Sequence, residues 1–232
     1  MKMNKWEEFA QENAEYYILT HENIDFNKEE GQNYFFKSGE QDTKTMLLNV
    51  LPLLKNKKNA LEIGCGIGRL AFAHARIFQE VYAVDVSETM LNKLNGLALK
   101  NSVVNVKTFL PSEEWDREDY FDYIYSFIVF QHIVEFPIIE EYIRRIAKAV
   151  SYNGIIQLHF DTRKASLLYK LRRFIPDMIL PKSQREGIRR NRRSSEDLKK
   201  VFNKYGLQII NELYPDSPGH LFILKHIKNT NY

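Results

Sequence analysis

The chain has 232 residues, 44% of them hydrophobic and 27% charged, with a formal net charge of +3. That length suits one domain plus an appendage, and that apolar content excludes a wholly disordered chain. Its single cysteine, Cys65, excludes an intrachain disulfide, and no apolar run reaches the roughly 18–20 residues that span a bilayer.

Residues 1–58 read as a helical, aromatic-rich cap. Trp6, Phe9, Ala10, Tyr16, Tyr17 and Ile18 make an imperfect helical stripe. His21 to Asp42 reads as a loop or short helix, with Tyr34, Phe35 and Phe36 embedded in it. Met46, Leu47, Val50, Leu51 and Leu54 predict a helix over 43–54. The start is charged and polar rather than secretory, which fits a cytoplasmic protein. From Asn59 short apolar runs alternate with helical patterns. Strands are expected at 60–63, 81–84, 103–109, 123–130 and 155–160. Helices are expected at 69–78, from the N-cap Ser87 onward, and from Pro137 to Val150. Asn153-Gly154 reads as a turn. Ser194 opens a further helix, Gly206 ends it, and strands follow at 207–214 and 220–227. Strand–helix alternation predicts an α/β fold with a doubly wound, mostly parallel sheet, closed at one edge by an antiparallel hairpin. Ligands of such sheets bind beyond the carboxyl ends of the strands.

The first strand runs into Glu62-Ile63-Gly64-Cys65-Gly66-Ile67-Gly68. Glycines there permit positive φ and close approach of backbone N–H groups to a ligand, and the next strand ends at Asp85, an acid able to accept ribose hydroxyls. Nicotinamide binding calls for G-x-G-x-x-G, but Arg69 occupies the third glycine's place. The pattern E-x-G-x-G-x-G, the acid in Val81–Met90, and the span from Phe121-Asp122 to Gln131-His132 together resemble class I S-adenosylmethionine-dependent methyltransferases of the small "type 11" group. The resemblance covers about residues 59–161 by motif. It implies a seven-stranded Rossmann-like methyltransferase fold and an S-adenosyl-L-methionine cofactor. It also implies cofactor contacts from Glu62, Gly64, Cys65, Gly66, Gly68, Asp85, Val86, Ser126 and Gln131. Cys65 itself reads as a small residue of the turn. The adenine-binding acid usual after the third strand is missing here, or displaced to Glu113. Ser38-Gly39-Glu40 could touch the cofactor's carboxylate end.

His132 and His159 stand at ligand-facing strand ends and are the candidate general bases for an O-methyl transfer. On an extended strand His159 and Asp161 share a face, as a base with its orienting carboxylate or as two metal ligands. No common zinc pattern is present, so no metal is expected. Residues 163–193 hold eleven basic side chains against two acids, a segment of +9 on a body of −6. This insertion, taken as 162–193 within a cofactor-binding unit of 59–232, has three readings. It is a nucleic-acid footprint, an amphipathic element that contacts a membrane peripherally, or an insertion that chooses the acceptor. The third makes the acceptor a small molecule or saccharide, with anionic character suggested by the charge. A methyltransferase acting on nucleic acid or a lipid-linked substrate, or a non-catalytic S-adenosylmethionine-binding protein, remain the alternatives.

Overall fold

The computed structural model describes residues 4–21, 23–166, 169, 171–172, 175–180 and 185–227. Two long helices come first, α1 (Lys5–Leu19) and α2 (Glu29–Leu48). Then follow β1 (Asn59–Ile63), α3 (Ala71–His74), β2 (Glu80–Val84), α4 (Glu88–Lys100), β3 (Val106–Phe109) and β4 (Phe121–Ser126). The chain continues with α5 (Phe136–Ala149), β5 (Val150–Phe160), α6 (Ser195–Lys204), β6 (Leu207–Leu213) and β7 (His220–His226). The seven strands form one sheet in the order β3-β2-β1-β4-β5-β7-β6. All pairings are parallel except those of β7, which runs antiparallel to both β5 and β6. The strand order reverses between β1 and β4, which opens the ligand crevice beyond Ile63 and Ser126.

Local chemistry explains these elements. Every residue of β4 is buried, as a central parallel strand covered on both faces requires. Ser87 caps α4, its hydroxyl accepting from the Met90 amide at 3.1 Å. Pro137 opens α5, which buries Ile139, Tyr142, Ile143 and Ile146. The Ser194 hydroxyl caps α6 by accepting from the Asp197 amide. Asp122, the acid of the fourth-strand signature, accepts from the amides of Lys58 and Asn59 at 2.8 and 3.2 Å and so ties the start of β1 to β4.

The structure departs from the sequence expectations in four places. Helix α2 runs unbroken from Glu29 and replaces both the expected loop and the helix over 43–54. Its buried face includes Gly31, Gly39 and Thr43, which an apolar count misses. A Cβ on Gly39 would lie 2.1 Å from the Arg69 carbonyl oxygen, so α2 sits directly on the backbone at the start of the third helix. The expected turn at Asn153-Gly154 is interior to β5, where the register against β4 shifts. Strand β4 stops at Ser126 because Ile128 adopts φ 60°, turning the chain out of the sheet. Regular α-helix in α3 is confined to four of the ten residues expected.

Candidate active site

The three loop glycines carry positive φ, +79° at Gly64, +53° at Gly66 and +92° at Gly68. The loop is clamped from below by β2, whose Val84 carbonyl accepts from the amides of Gly64 and Cys65 at 2.7 and 3.1 Å. From the side it is held by Asp85. The Gly66 amide donates to Asp85 Oδ2 at 2.8 Å, and the Ser87 amide donates to Oδ1 at 2.9 Å. The Val86 backbone contributes a further hydrogen bond, and a carboxylate's four acceptor sites are not exhausted by the three. Burial outweighs these hydrogen bonds and pushes the Asp85 carboxyl up to about 6.

Glu62 lies at the end of β1, buried, and accepts from the Tyr125 hydroxyl at 3.0 Å. Burial raises its carboxyl to about 8, with that hydrogen bond and the Arg69 charge opposing. Glu62, Gly64, Cys65, Gly66, Asp85 and Val86 all border one cavity of about 1110 Å³. Burial holds the Cys65 thiol well above its ordinary value, so it is a filler of the turn rather than a nucleophile. Three expected contacts do not border that space. Gly68 packs toward Leu94 and Phe72, the Ser126 hydroxyl donates to the Ile63 carbonyl at 3.1 Å, and the Gln131 carbonyl accepts from the Asn191 amide. They hold the site from behind.

His132 borders the cavity, with Trp6 packed edge-on at 5.4 Å between ring centroids. Its Nδ1 is buried with no hydrogen-bond partner. Burial lowers its pKa to about 4, assisted by the positive charge of Arg190, so the ring is neutral at pH 7. His159 is placed differently. It does not border the cavity, and its Nδ1 accepts from the Ile128 amide at 3.2 Å. Nor does it share a pair with Asp161, whose carboxylate is gripped by Arg163 at 3.0 and 2.5 Å. Among the described residues no cluster of histidine, cysteine or acid side chains could hold a metal ion. Glu113 folds back to accept from the Leu110 amide and does not reach the cavity.

The roof of the cavity comes from the first helix. Tyr17, Ile18, Leu19 and Thr20 border it, and a Cβ on Gly66 would lie 2.7 Å from Ile18 Cδ1. Of the aromatic residues of the cap, Trp6 and Tyr17 reach this space. Phe35 is buried beneath α1, Phe36 stacks on Phe72, and Tyr34 faces solvent. Ser38, Gly39 and Glu40 do not reach it either. Ser38 accepts from Arg69, and Glu40 pairs with Arg76.

Residues 39–212 match the model of a family described as a methyltransferase domain. The chain belongs to the methyltransferase domain family. The fold is that of class I enzymes, whose methyl donor is S-adenosylmethionine. An S-adenosylmethionine-dependent methyltransferase from Clostridium acetobutylicum is 15% identical and covers 96% of this chain and 99% of its own, with a TM-score of 0.63. Magnesium protoporphyrin IX methyltransferase from Synechocystis, solved with bound S-adenosylhomocysteine, is 14% identical and covers 95% and 97%, with a TM-score of 0.62. A methyltransferase of Haemonchus contortus, in complex with phosphomonomethylethanolamine and S-adenosylhomocysteine, is 20% identical and covers 75% of this chain and 39% of its own, with a TM-score of 0.59. No curated protein sequence matches the chain.

The residues of this methyltransferase fit that cofactor. The glycine loop leaves its cavity side open to a ligand, and Asp85 offers free lone pairs at the end of β2. Glu62 offers a carboxyl that a cationic ligand group would draw into its charged form. Three residues bordering the cavity could not be found from the sequence pattern: Trp6 and Ile18 on α1, and Arg69. Arg69 is buried, ion-paired to Asp42 at 2.6 Å and hydrogen-bonded to Ser38, so the side chain that speaks against nicotinamide binding is what anchors α2 to the loop.

Proposed function

We propose that this methyltransferase moves a methyl group by in-line displacement to a hydroxyl on a small molecule or saccharide. The observation that carries the reading is the continuity of one cavity. It runs from the glycine loop and Asp85, past His132, to the insertion after β5. A single space therefore has room for a nucleoside-based donor and an acceptor side by side.

When bound, S-adenosylmethionine supplies a methyl carbon already activated by its sulfonium. The protein's task is to hold, orient and dry the reactants, which can contribute roughly 7–11 kcal/mol to lowering the barrier. Gly64, Gly66 and Asp85 would hold the donor, with Cys65 and Val86 as wall contacts and Glu62 beneath. Residues 1–58 act as the cap over this half, on a cofactor-binding unit of 59–232. His132 takes the acceptor's proton as the acceptor oxygen is methylated. Its neutral ring on the cavity wall suits that role. His159, hydrogen-bonded to the backbone away from the cavity, is not assigned a part in the reaction.

The test has two stages. Calorimetry should show binding of S-adenosylmethionine and its demethylated product and none of NAD. Tight NAD binding without either would end this reading. A methyl-transfer screen over hydroxylated metabolites, sugar nucleotides and lipid-linked sugars then identifies the acceptor. Binding of the donor with no turnover on any of these classes would favour a non-catalytic role.

A further inference from the structure

The part of the cavity wall supplied by the insertion carries Arg163, Arg172, Arg189, Arg190 and Arg192. Two of these are already engaged. Arg163 grips Asp161, and Arg192 lies 4.4 Å over the Tyr169 ring while donating to the Lys164 carbonyl at 2.7 Å. Neighbouring Arg193 is engaged too, donating to the carbonyls of Ile133 and Val134. Arg172, Arg189 and Arg190 form no side-chain hydrogen bond or ion pair with the described residues, although Arg190 is exposed and feels the charge of the buried Asp161 carboxylate. Arg172 Nε is moreover shut away from solvent. Glu186, the acid of the insertion that borders the cavity, pairs with none of the three.

Holding unpaired cations in a concave, partly desolvated space is unfavourable unless an anion completes it. The backbone fixes this stretch beside His132, since the Asn191 amide donates to the Gln131 carbonyl at 2.6 Å. A carboxylate would answer one planar fork, whereas a phosphate monoester presents oxygens to several forks at once and carries up to two charges.

We propose that Arg172, Arg189 and Arg190 form a subsite for a phosphate monoester carried by the acceptor, which presents the acceptor's hydroxyl to His132. The proposal rests on the methyl-transfer reading for the hydroxyl, while the anion site stands on the arginines themselves. Two sources share this chemistry, a free phosphorylated metabolite and a phospholipid headgroup. The lipid source has a local correlate, since Ile175, Met178 and Ile179 of the same insertion are exposed apolar side chains. Leu167, Leu168, Lys170, Arg173 and Phe174 of the expected amphipathic pattern, and the basic residue Lys182, lie outside the described residues.

The experiment titrates the full chain with glycerol 3-phosphate by calorimetry, with glycerol as the neutral control. Flotation on phosphatidylcholine vesicles with and without phosphatidic acid runs in parallel. Glycerol 3-phosphate should bind once per chain and glycerol not at all. Arg172→Gln and Arg190→Gln should each weaken binding about tenfold. Arg144→Gln, at an exposed pair with Glu141, should change nothing. Vesicle binding that requires phosphatidic acid, with glycerol 3-phosphate inert, assigns the headgroup source. Should a variant fail to fold, phenylglyoxal labelling of the unaltered protein with mass mapping gives the same reading. Glycerol 3-phosphate or phosphatidic acid vesicles should protect Arg172, Arg189 and Arg190. No binding of either probe, or no protection of these arginines, overturns the subsite. S-adenosylhomocysteine is titrated separately. Its failure to bind would overturn the methyl-transfer reading and leave the anion result intact.

Discussion

The Glu7 carboxylate accepts the Ser87 hydroxyl at 2.6 Å, linking the first turn of α1 to the N-cap of α4. The same carboxylate accepts from the Thr89 amide at 3.2 Å and from the Thr89 hydroxyl. A negative charge at a helix N-terminus is favourable, and here it belongs to the element that roofs the cofactor cavity. Burial raises the Glu7 carboxyl, but the hydrogen bonds from Ser87 and Thr89 outweigh it and leave the group below its ordinary value. Glu7→Ala should cost about 1 kcal/mol of stability, by analogy with the loss of a helix cap. It should also raise the donor's dissociation constant by loosening α1. Thermal unfolding and calorimetry check the two effects, and unchanged affinity would mean that α1 is not a working roof.

Asp85, as the proposed ribose acceptor, is expected to set a pH limit on donor binding. Ionised, it accepts hydrogen bonds; protonated, it loses acceptor capacity toward a ribose. Because its carboxyl titrates near 6, donor affinity should be full above that value and fall as pH drops through it. Asp85→Asn should abolish the pH dependence while weakening binding at neutral pH, with the fold retained. Calorimetric titrations across that range decide the matter.

His132 and the donor site are separable. His132→Gln should lower kcat by about 10²–10⁴ for a hydroxyl acceptor and leave donor affinity unchanged. Trp6→Ala removes the ring that packs against His132, so it should lower kcat by a smaller factor. An undiminished kcat in His132→Gln would mean that another group, or none, takes the proton.

Two glycines of the loop should respond differently to the same change. A Cβ on Gly64 would fall 2.3 Å from Val129 Cγ2 and 2.6 Å from its Cγ1, and a β-branched side chain cannot turn away from both. With φ at +79° as well, Gly64→Ala should cost about 1–3 kcal/mol. A Cβ on Gly66 meets the tip of Ile18, which can move. Gly66→Ala should therefore keep most of its stability while donor affinity falls. Equal melting temperatures for the two variants would contradict this contrast.

The sequence marked the glycine loop and Asp85 because they lie close along the chain. Gly64 to Asp85 spans one strand–helix–strand unit, and the strand termini fix where the residues point. The sheet was legible for the same reason, down to the caps at Ser87 and Ser194. What stayed hidden depends on contacts between distant segments. Glu7 meets Ser87 across 80 residues, and nothing local in either marks the other. His159 has the residue type and strand position of a base, yet the turn at Ile128 presents a backbone amide that occupies its Nδ1. Alternation along a strand says which residues share a face, not which face stays open. The charge of the insertion was plain, but the division of its arginines into engaged and unengaged groups exists only in three dimensions.

The Arg193 amide donates to the Asp161 carbonyl at 2.8 Å, so the two ends of the insertion are pinned side by side on the body. Both ends of the excursion are fixed by the body itself, at the end of β5 and just before the cap of α6. Its length is therefore nearly free of consequence for the sheet, since closing a longer loop costs little more than closing a shorter one. What is not free is its fastening: the Asn191 amide donates to the Gln131 carbonyl and Ile188 is buried against Phe9 and Tyr17 of α1, so any peptide substituted between Asp161 and Arg193 has to restore both contacts to keep the roof in place.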